Sequence, residues 1–295
     1  MQDQAAGLRR MMGQRPRFLP LGICGTDPAL SALASAHLAY ALSGRGLPIW
    51  VVDEAAAPHN VATCFGLPLR RTLDQVLRQG GTPDAAVSGV APGLSCLAIN
   101  GGMAWLGGMP EGRWQLTVDA LKGLPEQPQC LLLHAQPGAE AGSLAMCARD
   151  RLLVLPQGRS ALTQAYALMK ELQRLYPIER WYVLVMQARD EMAARETFAA
   201  LESTARRFLD IRPQWLGSVP RDATLTEAGR RMLTVQEIPA DKPGVQAFRR
   251  LAEALATVLT GAGMYQPDEF WLKMWMFSRL TAEAVPEKAQ NVQLS

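Results

Sequence analysis

Residues 18–44 read FLPLGICGTDPALSALASAHLAYALSG, and the fold follows from how this stretch divides. Phe18–Cys24 is a short continuous apolar run without alternation, the pattern of a strand buried on both faces. Ala29–Ser43 reads as a helix, and Ser43-Gly44 with Gly46 supplies its stop. Working outward, the alternation repeats. Pro48–Asp53, Leu94–Asn100, Gln129–His134, Arg151–Leu155, Trp181–Gln187 and Gln214–Val219 are strand-like. Thr72–Gln79, Gly112–Gly123, Ala139–Ala148, Ser160–Tyr176, Asp190–Leu209, Thr224–Met232 and Gly244–Gly261 are helix-like, and Pro177 closes the helix that begins at Ser160. Gly80–Gly93 reads as a loop region. This order predicts an α/β fold: a doubly wound, mostly parallel sheet with helices on both faces. Residues 17–262 form that domain, 1–16 an N-terminal partner-binding segment, and 263–295 a C-terminal amphipathic helix and tail.

The chain has 295 residues, 48% of them hydrophobic and 19% charged, so it can bury a full core and global disorder is excluded. Its net charge of +3 is a mild excess, and its arginine pairs are scattered, from Arg9-Arg10 to Arg249-Arg250. Scattered pairs are solvated helix faces, and no direct contact with nucleic acid is expected. The five cysteines form no CxxC pair, which predicts buried free thiols in a reducing cytosol and no metal site. No apolar run is long enough to span a bilayer, and the N-terminus lacks a signal-peptide core. The expected location is the cytoplasm, with peripheral contact at the inner face of the cell membrane left open.

In a doubly wound fold the ligand sits at the carboxyl ends of the strands, beside the first βα turn. Here that turn is Gly22–Ala32. A working phosphate loop needs glycines that let backbone N–H groups wrap the phosphates, a lysine on the β/γ-phosphates and a Ser/Thr on magnesium. The turn has the length for such a loop but almost none of these residues. His37, His59 and His134 have no third ligand or nucleophile beside them in the sequence. No Ser/His/Asp or Cys/His arrangement stands out.

The stretch Leu38-Ala39-Tyr40-Ala41-Leu42 resembles the end of the first helix of MinD/ParA-type P-loop ATPases, above all of the FlhG/FleN-type regulators of flagellar number. Counting back, the motif GKGGVGKT of that family falls on Gly25–Ala32, and only Gly25 matches. Its signature lysine falls on Thr26, its Walker lysine on Ser31 and its magnesium-binding threonine on Ala32. The negatively charged Asp27 stands where a glycine would be. Val51–Asn60 with Gly66-Leu67 resembles the switch I segment: Asp53 and Asn60 match, and the water-orienting aspartate falls on Ala55. Leu131–Ala135 resembles the switch II strand, with its metal-linked aspartate on His134. Arg151–Pro156, Leu162–Lys170, Ala205–Leu209, Leu216–Asp222 and Val245–Ala252 resemble further family segments in the right order.

The resemblance spans residues 1–260 and implies a MinD-like fold with vestigial nucleotide-site positions Gly25, Thr26, Ser31, Ala32, Asp53, Asn60, Arg221 and Asp222. Arg221 and Asp222 stand at the adenine side, and a loop-to-helix cap is the other reading of the pair. No residue is expected to be catalytic and no cofactor is expected, with ATP and magnesium binding left open. Asp3, Gln4, Ala5, Leu8 and Arg9 resemble the segment by which the family engages the FlhF-type GTPase. A flagellar transcription activator or switch-complex protein is a further expected partner, and a homodimer is a further expected assembly. MinD-type proteins carry a membrane-targeting helix at the C-terminus. Phe270, Trp271, Met274, Trp275 and Phe277 occupy that place, as a membrane face or as a face packed on the domain. The resulting expectation is a non-catalytic FlhG/FleN-like regulator that acts through partners. The alternatives are an ATPase with a non-standard phosphate loop and a MinD-like membrane-positioning protein unrelated to flagella.

Overall fold

The computed structural model describes residues 19–67, 71–99, 102–136, 143–175, 178–231, 234–260 and 266–284. An eight-stranded sheet forms the centre, in the order β3-β4-β2-β5-β1-β6-β7-β8. The strands are β1 Leu19–Gly25, β2 Ile49–Asp53, β3 Val87–Ala91, β4 Leu94–Ala98, β5 Cys130–His134, β6 Asp150–Pro156, β7 Arg180–Ala188 and β8 Gln214–Pro220. All neighbours pair in parallel except β3, which runs antiparallel to β4 at one edge. Strand β3 lies inside the stretch that reads as a loop. It escapes a sequence reading because its burial is partial and Gly89 interrupts it.

The helices are α1 Pro28–Ser43, α2 Val61–Cys64, α3 Leu73–Arg78, α4 Gly102–Gly107, α5 Glu111–Lys122, α6 Arg159–Leu175, α7 Glu191–Leu209, α8 Ala223–Arg231, α9 Pro243–Thr260 and α10 Pro267–Ala284. Where the sequence predicts a helix over 139–148, the described part is a short 3-10 turn, Leu144–Cys147. The short helices α2 and α4 are not predicted by the sequence pattern.

Alternation along the strands divides the core between the two faces of the sheet. On β5, Leu132 packs under α1 and α9, while Leu131 and Leu133 point to the opposite face. That opposite face is covered in two parts. Trp50, Val52 and Leu97 pack with α5 and α10, and Leu153, Leu155 and Val183 pack with α6 and α7. Five-residue strands such as β2 and β5 are buried along their whole length. Two-sided burial removes alternation from the sequence and leaves continuous apolar runs.

The C-terminal helix α10 belongs to this core, in keeping with the second of the two readings of its aromatic face, packed on the domain. Phe270, Trp271, Met274 and Trp275 are buried among Val118, Leu121, Leu106 and their neighbours, and Phe277 packs against the same cluster. Trp271 meets Trp114 edge to face at 6.3 Å, and the Trp275 indole N–H donates to the Met109 carbonyl at 3.4 Å. Gly107 lets α4 and α10 cross closely, since a Cβ there would collide with the Ser278 carbonyl. Burying four such side chains is worth several kcal/mol, at about 2 kcal/mol each.

Candidate functional site

The first βα turn is far tighter than its sequence length suggests. β1 ends at Gly25, α1 begins at Pro28, and only Thr26 and Asp27 lie between them. Asp27 is the N-cap, with its carboxylate accepting the Leu30 N–H at 3.0 Å, and Pro28 occupies the first turn. Both are strong helix-start residues. The positions read as a phosphate loop are thus mostly the first turn of a helix. Their amides are committed: Thr26 N–H to the Val154 carbonyl at 3.1 Å, and Ser31 N–H to the Asp27 carbonyl at 3.0 Å. Gly25 is required by close approach, because a Cβ would lie 2.8 Å from the Val154 carbonyl oxygen.

Under this turn three polar side chains meet. β2 and β5 run in parallel with Asp53 opposite His134, both at the carboxyl ends of their strands. Both side chains lie on the α1 side of the sheet, where Ser31 comes down from the first turn of α1. His134 Nδ1 is 2.8 Å from Asp53 Oδ1, and His134 Nε2 is 3.1 Å from Ser31 Oγ. Asp53 also accepts the Ala55 N–H at 3.1 Å and the Val61 N–H at 2.6 Å. Ser31 Oγ lies 3.0 Å from the Pro28 carbonyl. Relative exposure is 1% for Ser31, 1% for Asp53 and 0% for His134.

Asp53 thus takes two backbone amides and lies against the imidazole Nδ1 as well. The Ser31 hydroxyl has both His134 Nε2 and the Pro28 carbonyl within hydrogen-bond reach. The order Ser–His–Asp is that of a nucleophilic relay. A nucleophile must reach its substrate, however, and this serine is sealed beneath the helix. The row instead ties β2, β5 and α1 together at the place where a doubly wound sheet binds ligands. Nothing in the sequence brings the three residues together; the strand order does.

Glu54, next along the chain, holds the end of β5. It accepts the Gln136 N–H at 2.9 Å, the Ser143 hydroxyl at 2.6 Å and the Leu144 N–H at 2.6 Å. Burial raises its carboxyl pKa against the opposing pull of these bonds.

Of the other predicted positions, Ala32 is buried on α1 and Asn60 caps α2 by accepting the Thr63 N–H at 3.0 Å. Arg221 is exposed and gives its backbone N–H to the Ala188 carbonyl at 2.8 Å. Asp222 caps α8 through the Thr224 N–H at 2.7 Å and holds α9 through the Gly244 N–H at 2.8 Å. Asp3, Gln4, Ala5, Leu8 and Arg9 lie outside the described residues. Among the described residues, no cluster of His, Cys, Asp or Glu could hold a metal ion, and no helix is long and apolar enough to cross a membrane.

No protein-family model matches the chain. A curated relative, the antiactivator FleN of Pseudomonas aeruginosa, is 28% identical over 256 residues, covering 85% of this chain and 90% of that protein. Among solved structures, the MinD cell division protein of Aquifex aeolicus aligns with a TM-score of 0.61 at 18% identity, over 84% of this chain and 98% of its own. The septum site-determining protein MinD of Pyrococcus horikoshii, solved with Mg-ADP, aligns at 0.58 and 17%, over 82% and 97%. A variant of Cyanothece McdA, solved as its ATP complex, aligns at 0.58 and 15%, over 81% and 97%. The chain therefore has the MinD/ParA-type P-loop α/β fold and, over most of its length, is similar in sequence to the antiactivator FleN.

Proposed function

We propose that this protein is a FlhG/FleN-type regulator of flagellar number that works by binding partner proteins, without turning over nucleotide. The observation that carries the reading is the buried Ser31–His134–Asp53 row beneath the Asp27-capped turn. In the resemblance, Ser31 and His134 stand at the positions of the Walker lysine and the metal-linked aspartate. The residues present do not fit a magnesium-bound triphosphate. Residues 25–32 contain no lysine, the Leu30 and Ser31 amides are spent on Asp27, and the Asp27 carboxylate adds negative charge where phosphates would lie. Phosphoryl transfer depends on positioned positive charge, and losing one such contact costs on the order of 10³-fold in rate. In the resemblance five motif positions, now Thr26, Ser31, Ala32, Ala55 and His134, have changed together.

The partners follow from two similarities. An antiactivator acts on an activator, and the similarity to FleN supports a flagellar transcription activator as one partner. The likeness of Asp3–Arg9 to the family's docking segment supports an FlhF-type GTPase as another. In the sequence Ala5, Leu8 and Met12 recur at a spacing that would suit docking in a groove on a partner. Capture of purified FlhF by the full chain, with and without the Asp3→Ala/Gln4→Ala double change, tests the docking. The expected result is at least tenfold weaker capture by the double variant. Equal capture removes this segment from the interface, and no capture by either form removes the GTPase as a partner.

A further inference from the structure

A cavity of about 330 Å³ lies near the β3 edge of the sheet, on the side that α1 covers. Its floor is formed by β4 and β3. Cys96 and Ala98 stand opposite Val51 and Asp53 of β2, and Ser88 stands opposite Cys96. The rest of the wall comes from α2 with its cap Asn60 and from α3 with its cap Thr72. Ala55, Ala62, Leu67 and Ala86 make much of the lining apolar. The volume falls at the low end of the range for small-molecule sites, about 300–1,000 Å³.

Ser88 is 5% exposed, and its hydroxyl has no hydrogen-bond partner among the described residues. The oxygen lies one bond beyond Cβ on a strand residue that lines the cavity, and it is not sealed from that space. A nearly buried hydroxyl without a partner is unfavourable. The other unspent polar groups of the wall are donors. Asn60 Oδ1 accepts the Thr63 N–H at 3.0 Å and the Thr63 hydroxyl, so only its NH₂ is left for a ligand. Gln75 Oε1 accepts the Thr72 N–H at 3.1 Å, with the same consequence. The Thr72 hydroxyl is given to Asp74. Arg71 lines the cavity from an exposed position and makes no ion pair or hydrogen bond among the described residues. Its long side chain is free to turn toward a ligand. No described Asp or Glu lines the cavity. Asp53, behind the wall, is taken up by the Ala55 and Val61 amides and by His134. Burial, with Asp53 adding to it, pushes the Cys96 thiol pKa up, so that thiol carries no charge near pH 7.

We propose that this cavity binds a small organic acid as its carboxylate. The carboxylate takes the Ser88 hydroxyl and the Arg71 guanidinium, and a short apolar body lies against the alanines. A carboxylate only accepts hydrogen bonds, and a guanidinium meets it through two parallel N–H groups. The inference goes beyond the regulatory reading and stands without it, since it needs neither FlhF nor flagella.

The test titrates benzoate and benzyl alcohol, close in shape and differing in charge, into the full chain by calorimetry. The expected result is benzoate binding about tenfold more tightly than benzyl alcohol. In Arg71→Gln the benzyl alcohol affinity persists and the benzoate advantage disappears. Ser88→Ala, which keeps the volume of the site, weakens benzoate about fivefold, one hydrogen bond's worth. Ala57→Trp, at an exposed position of the wall, weakens both probes by filling the space. Arg71 and Ala57 are exposed, so these two variants leave the core as it is. No saturable benzoate binding, equal affinity for the two probes, or a benzoate affinity unchanged in Arg71→Gln overturns the proposal. A loss in Arg71→Gln with none in Ser88→Ala places the anion outside the cavity and overturns it equally.

Discussion

Asp53 and His134 face each other across neighbouring parallel strands, Oδ1 to Nδ1 at 2.8 Å, and neither is more than 1% exposed. The carboxylate also holds the Ala55 and Val61 amides, so one side chain fixes both the imidazole and the turn that follows β2. Asp53→Ala leaves those two N–H groups and Nδ1 without their partner in a dry interior. The expected cost is about 3 kcal/mol, read as a lower urea midpoint at unchanged m-value. Ser31→Ala removes only the outer end of the row and should cost about 1 kcal/mol. Equal, negligible losses from both would mean that the row does not bind the strands together.

His37 gives a pH dependence with a defined sign. Its pKa falls from the ordinary 6.5 to about 4 because burial penalises the charged ring. The unfolded chain therefore takes up a proton that the folded one refuses, and stability is lost as pH falls from about 6.5 toward 4. The full depression corresponds to about 3 kcal/mol. Urea midpoints at pH 7, 6, 5 and 4 should fall less steeply in His37→Phe than in the wild type. Carboxylates elsewhere contribute equally to both proteins, so the difference in slope isolates this ring.

The packing of α10 separates two neighbouring positions. Trp271 is 3% exposed in the core and Leu272 is 52% exposed. Trp271→Ala should cost about 4 kcal/mol through the cavity it leaves, whereas Leu272→Ala should stay within about 0.5 kcal/mol of the wild type. Thermal denaturation of the two variants makes the comparison. Similar small effects would mean that the helix does not pack as described.

Gly107→Ala tests the same junction from the other side. The added methyl would collide with the Ser278 carbonyl, a backbone atom held within α10. The expected result is about 3 kcal/mol of destabilisation and faster proteolysis within residues 266–284. A wild-type cleavage rate would mean that the two helices can separate at little cost.

Most of the sheet was legible because its strands are buried on both faces, and runs such as Leu131-Leu132-Leu133 show this without a partner in view. The edge strand Val87–Ala91 was not, since it is half-buried and contains Gly89. The first turn shows how a motif comparison can hide local chemistry. Alignment set a family phosphate loop on Gly25–Ala32 although the helix read from Ala29 already begins within it, and Asp27-Pro28 in the same stretch is a helix start on ordinary grounds. The Ser31–His134–Asp53 row lay beyond sequence reading for a different reason. Its members are 103 and 81 residues apart and meet only through the strand order β2-β5-β1. The burial of Phe270 and Trp271 was equally a matter of tertiary context, because an aromatic helix face looks the same whether it meets lipid or protein.

Isothermal titration of the full chain with ATP and magnesium bears most directly on the central claim, that this fold's phosphate site has been rebuilt as a closed structural clasp. The predicted result is no binding tighter than roughly millimolar and no release of phosphate. Micromolar binding that depends on magnesium, or steady turnover abolished by Ser31→Ala, would contradict it.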